Sequence, residues 1–445
     1  MLNQSFSAEN FRRILDLENR KGVYLEGCFF PEIKEINKKI KEIAKIIKEK
    51  QKNRIVTNDE IEELCVRKKE LRKEKEEKLN GELQKISEKV LASDFRIELE
   101  KKEIENRETL YITKDSPEQY FTMKQIQRNV SRLFGVKQSN RYEIVSQVKN
   151  LLQDGFPKYV LKTDIENFYE NIPHERLLKK INDDNLLTPF SKKILRQIIS
   201  KYKRLSESDK GIPRGVGVSA YLAELFMSDA DNEIKSMEEV SYYARYVDDI
   251  IIIFTPKANT HHTDYLKRIK NIIEGKFSLK LNEQKTNTFD LLDPKQRTLF
   301  EMEYLGYKFT FGNGKIQTEL SQKKFDKYKQ RINLTFDNYF NLSKIDEKEA
   351  RKLLVKRLRF LTGNTRLKNN KKNILVGVYY SNCQLTERKY LTRLDDCLRT
   401  KINNSITLIK LKERLNKYNF IDGFEGKRFS PFKTLEFQEI MKIWK

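Results

Sequence analysis

Two apolar, β-type runs in this chain end on aspartate, and that pairing limits the fold more than any other feature. Tyr159-Val160-Leu161-Lys162-Thr163 leads into Asp164, after which Ile165-Glu166-Asn167-Phe168-Tyr169 turns toward Ile172-Pro173. Further along, Tyr242-Tyr243-Ala244-Arg245-Tyr246 and Ile250-Ile251-Ile252-Ile253-Phe254 flank Val247-Asp248-Asp249. β-rich flanks around a tight acidic turn predict a hairpin with two carboxylates at its tip. An isolated Asp-Asp pair is ordinary turn chemistry. Here Asp164 closes a separate strand upstream, a segment with Gly211, Pro213 and Gly215 lies between, and a strand–turn–strand with Gly306 follows. Carboxylates crowded between apolar strands repel each other and resist desolvation. A pair of divalent cations offsets both effects, and hard oxygen ligands suit Mg²⁺, two ions, with Mn²⁺ able to substitute. The chemistry such a site supports is in-line phosphoryl transfer, with Asp164, Asp248 and Asp249 as catalytic and metal-binding residues.

The charge balance points the same way. The 445 residues carry a formal net charge of +24 together with 20 Tyr and 26 Phe, which suits a polyanion held by phosphate contacts and base stacking. Cys28, Cys65, Cys383 and Cys397 form no CxxC pair, and with only three histidines neither a structural zinc site nor a disulfide framework is expected. A reducing cytoplasmic location fits that cysteine usage. The N-terminus has no apolar signal core, and the longest apolar run, Ile250 to Phe254, is too short for a bilayer, so no membrane partner is expected.

The chain reads as an α+β protein with a strongly charged helical insertion. Ser7 caps an amphipathic helix over residues 5–20 with Phe11, Ile14, Leu15 and Leu17 on its apolar face. Ile33, Ile36, Ile40, Ile43 and Ile47 form a heptad seam, and Thr57-Asn58-Asp59-Glu60 is a capping box that opens a second helix along Ile61, Leu64 and Leu71. The expectation is an antiparallel helical hairpin ending near Asn80-Gly81, with a further helix after it. It is either an arm for RNA or a protein partner, or a solvated insertion packed on itself. Residues 118–152 look helical, residues 158–310 alternate strands with helices, and beyond Gln317 the chain turns helical again, with basic amphipathic helices at Lys323 to Lys329 and Glu347 to Leu361.

Five segments in order resemble the reverse-transcriptase family. Lys162 to Tyr169 looks like its first catalytic motif, and Tyr246-Val247-Asp248-Asp249 looks like its YxDD box. Between them, Gly211 to Leu222 looks like the motif leading into a long helix. Leu281-Asn282-Glu283-Gln284-Lys285-Thr286 looks like the lysine-bearing motif, and Tyr304 to Phe309 like the primer-grip hairpin. The resemblance implies a right-hand polymerase with an antiparallel-sheet palm and a helical thumb. Its expected layout is an N-terminal fingers element at 1–30, the charged hairpin at 31–92, fingers at 93–160, palm at 161–310 and thumb or C-terminal region at 311–445. It further implies the Ile165 carbonyl as an extra metal ligand, Tyr169 as a sugar gate favouring dNTPs, and Lys285 at the triphosphate or pyrophosphate. Arg214, Gly215, Tyr246 and Gly306 would position template and primer.

One departure from the family is informative. The usual Pro-Gln-Gly triplet is Pro213-Arg214-Gly215 here, which resembles the bacterial abortive-infection and unknown-group reverse transcriptases of antiviral defence. Lys137 to Arg141, Arg359 to Leu367 and Val378 to Asn382 also look like that group's motifs. The implied function is RNA-directed DNA synthesis in antiphage defence, with a noncoding RNA template, a DNA product and a protein partner or second copy as candidate partners. Template-independent or protein-primed synthesis on the same site, and a catalytically silent RNA-binding scaffold, are the competing readings. Lys137 and Arg141 share a helix face if both are helical, and either clamp the triphosphate, touch the template or face solvent. Arg357, Arg359, Arg366, Lys368, Lys371 and Lys372 form a basic cluster suited to an RNA backbone. His174 and His261-His262 have no partner at metal spacing and are given no role.

Overall fold

A computed structural model of the chain describes residues 2–21, 24–53, 58–103, 109–135, 139–257, 263–292, 294–312, 314–367 and 374–444. The chain divides into two compact units. The first comprises Met1–Gln138, Ile165–Glu233 and Ile272–Lys280, and the second Ser139–Asp164, Ile234–Asn271 and Leu281–Lys445.

The first unit is mostly helical. Ser7 accepts a hydrogen bond from the Asn10 amide and starts the helix Ala8–Arg20, whose Phe11, Ile14 and Leu15 are buried. Leu17, expected on the same face, is 43% exposed, because it follows Leu15 by two residues and so turns away from it, at the edge of the buried stripe. The helices Pro31–Asn53 and Asn58–Leu91 pack as the expected hairpin. Their antiparallel sense is fixed by Lys50 pairing with Glu60 at one end and by Lys78–Glu32 at 3.6 Å toward the other. Thr57 of the expected capping box lies outside the described residues. The break expected at Asn80-Gly81 is absent. A glycine inside a helix costs only about 1 kcal/mol, and Leu79, Leu83, Ile86 and Val90 are all buried, so packing carries one helix through to Leu91. A short hairpin, β1 (Leu99–Lys102) with β2 (Leu110–Thr113), and the helices Pro117–Leu133, His174–Asp183 and Pro189–Ser206 complete most of the unit. The continuous helical look of 118–152 resolves into two helices, Pro117–Leu133 here and Arg141–Gln153 in the second unit. His174 is buried with its Nε2 2.6 Å from the Gly211 carbonyl oxygen. His261 and His262 lie outside the described residues.

The second unit holds the main sheet. β3 (Tyr159–Asp164), β4 (Val240–Tyr246), β5 (Asp249–Phe254) and β6 (Asn287–Asp290) form an antiparallel sheet in the order β4-β5-β3-β6. Every residue from Ile250 to Phe254 is buried, which explains an unbroken apolar run where a half-exposed strand would alternate. A meander of β7 (Glu301–Tyr304), β8 (Tyr307–Gly312) and β9 (Lys315–Leu320) follows. One continuous core joins these sheets to the helices Arg141–Gln153, Gln322–Ser343, Glu347–Leu361 and Lys389–Ser405. The helical region expected from Gln317 begins at Gln322, capped by Ser321, because β9 continues to Leu320. It also contains a hairpin, β10 (Asn364–Leu367) with β11 (Ile374–Gly377).

The C-terminal motifs around Thr362 and Tyr379 form a hydrogen-bonded knot. The Asn364 side chain donates to the carbonyls of Gly423 and Arg428 at 3.0 and 3.3 Å and accepts from the Tyr379 and Tyr380 amides at 2.9 and 3.4 Å. Arg428 donates to the carbonyls of Thr362, Lys417 and Asn419. Among the described residues no helix is long and apolar enough to cross a membrane.

Candidate active site

Register brings the acids together. In the β3–β5 ladder Asp164 stands directly opposite Asp249, and in the β4–β5 ladder Asp249 stands opposite Tyr246. Only Val247 and Asp248 therefore span the hairpin tip. Such a two-residue turn twists with its strands only when the backbone enters the left-handed region, and Val247 does so at φ 62°. For a β-branched residue that conformation is strained, and strain of this kind gathers at functional sites. Arg245, buried in β4, donates from Nη1 to the Val247 carbonyl at 2.9 Å and braces the turn.

The outcome is a carboxylate trio. One oxygen each from Asp164, Asp248 and Asp249 lies within 4.8 Å of the others. Asp164 is only 4% exposed, and the two aspartates at the tip are half-buried. Burial pushes the Asp249 carboxyl up to about 6, with Asp248 and Asp164 adding to the rise and Lys162 and Lys285 opposing it. A carboxyl held up in this way is short of positive charge, and a divalent cation bound by oxygen ligands supplies it. The donor set therefore fits a hard divalent metal.

Lys285 is delivered to the same place by backbone bonds. The Asn282 amide donates to the Asp164 carbonyl at 2.8 Å, and the Asn282 side chain caps the short turn Glu283–Lys285. The Thr163 and Thr286 hydroxyls meet at 2.7 Å and join that turn to β3. Lys285 Nζ then lies 2.9 Å from Asp164 Oδ1, and this contact raises the lysine above its ordinary range. Asn282 and Arg245 were not singled out in the sequence. A capping Asn three residues before the lysine is a legible signal, whereas nothing marks Arg245 in its strand.

Tyr169 and Arg214 belong to the first unit and lie against each other. Arg214 makes a two-pronged ion pair with Glu170, at 3.0 and 3.1 Å, and its guanidinium carbon is 5.3 Å from the centre of the Tyr169 ring. Gly215 follows at φ 98°, where a Cβ would come 2.7 Å from the Tyr111 carbonyl oxygen. Ile165, next after Asp164, is buried. In the second unit Arg141 opens its helix and donates to the Leu305 carbonyl at the turn of the β7–β8 hairpin. Gly306 completes that turn at φ 74°, and Tyr246 packs against the core. Of the basic cluster, Arg357 is 3% exposed and bonded to Asn338 and the Glu439 carbonyl, so it faces inward. Arg359 lies 5.8 Å from the Phe432 ring, and Arg366 is exposed on β10. Lys137, Lys368, Lys371 and Lys372 lie outside the described residues.

Residues 112–309 match the family of reverse transcriptases, RNA-dependent DNA polymerases. No curated protein matches the sequence. Among solved structures the chain is similar to apo telomerase of Candida tropicalis, with 13% identity over 78% of this chain and 61% of that one and a TM-score of 0.38. Telomerase of Candida albicans in complex with a TWJ fragment of telomeric RNA aligns at 13% identity over 68% of this chain and 56% of that one, with a TM-score of 0.33. The chain thus spans 56 to 61% of the length of these two telomerases. The matched segment is thus similar to a reverse-transcriptase domain, and the fold of the chain combines helices with an antiparallel sheet.

Proposed function

We propose that the protein is an RNA-directed DNA polymerase of bacterial antiphage defence that copies a noncoding RNA with dNTPs, using two Mg²⁺ ions. The observation that carries the reading is the meeting of Asp164, Asp248 and Asp249 oxygens within 4.8 Å on paired strand ends. Divalent ions held there would lower the pKa of the primer hydroxyl and neutralise charge on the triphosphate. Lys285, tethered to Asp164, would hold the triphosphate or protonate the departing pyrophosphate. By the family resemblance, the Ile165 carbonyl would add a ligand and the Tyr169 ring would exclude a ribose 2′-hydroxyl. Arg141 and Lys137 serve the triphosphate, while Gly215, Tyr246 and Gly306 shape the path of template and primer. The defence assignment rests on Pro213-Arg214-Gly215 and the C-terminal motifs.

The test is incorporation of labelled dNTPs by the purified protein with Mg²⁺ or Mn²⁺, with and without its co-purifying RNA. Asp248→Ala/Asp249→Ala should lower incorporation by about a thousandfold or more, since each lost ligand removes several kcal/mol of transition-state stabilisation. Equal incorporation by the double variant would remove the carboxylates from the mechanism. Phage plating on cells carrying either form tests the defence role, and protection by the double variant would separate defence from synthesis.

A further inference from the structure

We propose that Arg214 is a positioning residue for Tyr169 and sets nucleotide sugar selectivity through it, with Glu170 as its anchor. The inference rests on the reading of Tyr169 as the sugar gate and adds the device that holds the ring in place.

The first support is backbone geometry. Residues 211–215 are stitched to the segment carrying Tyr169: the Gly211 amide donates to the Ile172 carbonyl at 2.7 Å and the Ile212 amide to the Tyr169 carbonyl at 2.8 Å. On the other side the Arg214 carbonyl accepts from the Tyr111 amide of β2 at 2.7 Å. The Cα of Arg214 is thus held from two directions before its side chain makes any contact. A glycine at 215 is needed for this threading, because any Cβ there would collide with Tyr111.

The second support is the side-chain geometry. A planar guanidinium matched to both oxygens of one carboxylate has its orientation fixed, not only its position. Here that carboxylate belongs to Glu170, the residue after Tyr169 in the same short helix Phe168–Asn171. The guanidinium so fixed lies near the phenol ring, within the range of a cation–π contact. Phe168 packs edge-on against Tyr169 from its other neighbour, at 5.7 Å between ring centres. The ring is therefore held by a cation and by a buried aromatic. The Arg214–Glu170 pair is only part-buried, at 30% and 42% side-chain exposure, and pairs of that kind contribute little to stability. Its worth lies in orientation. A shorter amide side chain at 214 reaches neither partner in the same way, so the arginine is bound up with how tightly this protein holds its gate.

The experiment compares kcat/KM for a dNTP and the matching NTP in the full-length protein and in Arg214→Gln, Arg214→Lys, Glu170→Gln and Tyr169→Ala. Arg214→Gln and Glu170→Gln should each lower the dNTP preference by about tenfold, through a gain on NTPs, with template–primer affinity unchanged. Arg214→Lys, which keeps the cation but not the fork, should recover part of the preference. A purely structural role would depress both nucleotides alike, and a template-handling role would weaken template affinity while sparing the ratio. Either result overturns the proposal. An unchanged preference in Tyr169→Ala overturns the sugar-gate reading itself. Relaxation in Tyr169→Ala without relaxation in Arg214→Gln overturns only the positioning role.

Discussion

Lys324 and Arg141 share one aromatic ring. Their charged groups lie 5.3 and 5.2 Å from the centre of Tyr307, and Lys324 donates to the Ser381 carbonyl at 3.0 Å. Neither makes an ion pair with a carboxylate among the described residues. Burial, with Arg141 adding, pushes the Lys324 ammonium down to about 7. The unfolded chain binds that proton up to the usual lysine range near ~10.4, so it takes up more protons than the folded chain between the two values. Stability should therefore rise as pH is raised from about 7 toward 10. Urea midpoints at several pH values should show that rise, and Lys324→Met should flatten it. An equal slope in both proteins would mean that another group titrates. Single residues were unevenly legible. The aspartates could be read because β-runs that stop on acids are rare and expensive. The inward turn of Arg357 could not, because a basic amphipathic helix looks the same whether one arginine covers the surface or reaches under it to Asn338.

At the scale of elements, periodicity read well and punctuation did not. Of the expected seam, Ile33, Ile36 and Ile47 are buried, while Ile40 and Ile43 are half-buried. Gly81 was read as a stop and is a helix interior instead, because local propensity of about 1 kcal/mol yields to a packed face on the same helix. Glycine in this chain thus has two opposite roles. A Cβ at Gly81 meets nothing within 4 Å, while one at Gly423 would come 1.6 Å from the Thr362 carbonyl oxygen. Gly81→Ala should stabilise the protein by about 0.5–1 kcal/mol. Gly423→Ala should destabilise it by about 3 kcal/mol or more, since backbone rather than a side chain stands in the way. Chemical denaturation of the two variants checks both signs. The knot around Asn364 explains the second. Its donors and acceptors come from segments far apart in sequence, which is why the motifs were visible while their role as a fastening was not.

For the whole molecule, the charge surplus of +24 is the property with the widest reach. Much of the charge in the long helices is internally paired, as Arg12 with Glu76 and Lys75 with Glu26 show. An excess of positive charge of that size suits a polyanion or serves solubility. If nucleic acid is that polyanion, affinity should fall linearly in log–log form with salt, by on the order of a thousandfold between ~50 and ~200 mM for about six phosphate contacts. Fluorescence anisotropy with a labelled RNA duplex or RNA–DNA hybrid measures it, and a flat salt response would mean the surplus serves solubility alone. The order of motifs announced a polymerase sheet. The division of the chain into two interleaved units did not show, because each unit is assembled from three stretches and no linker composition marks the crossings.

The outermost rung of the ladder, where Asp164 faces Asp249, makes frame the least negotiable property of this chain. Side chains alternate between the two sides of a strand, so inserting or deleting one residue in β5 would swap its inner and outer sets. The isoleucines would survive such a shift, since the strand is buried throughout and either side accepts them. The acid would not, because it would leave its partner and point the opposite way. A change of length by one would thus end the chemistry of this hairpin without unfolding the sheet.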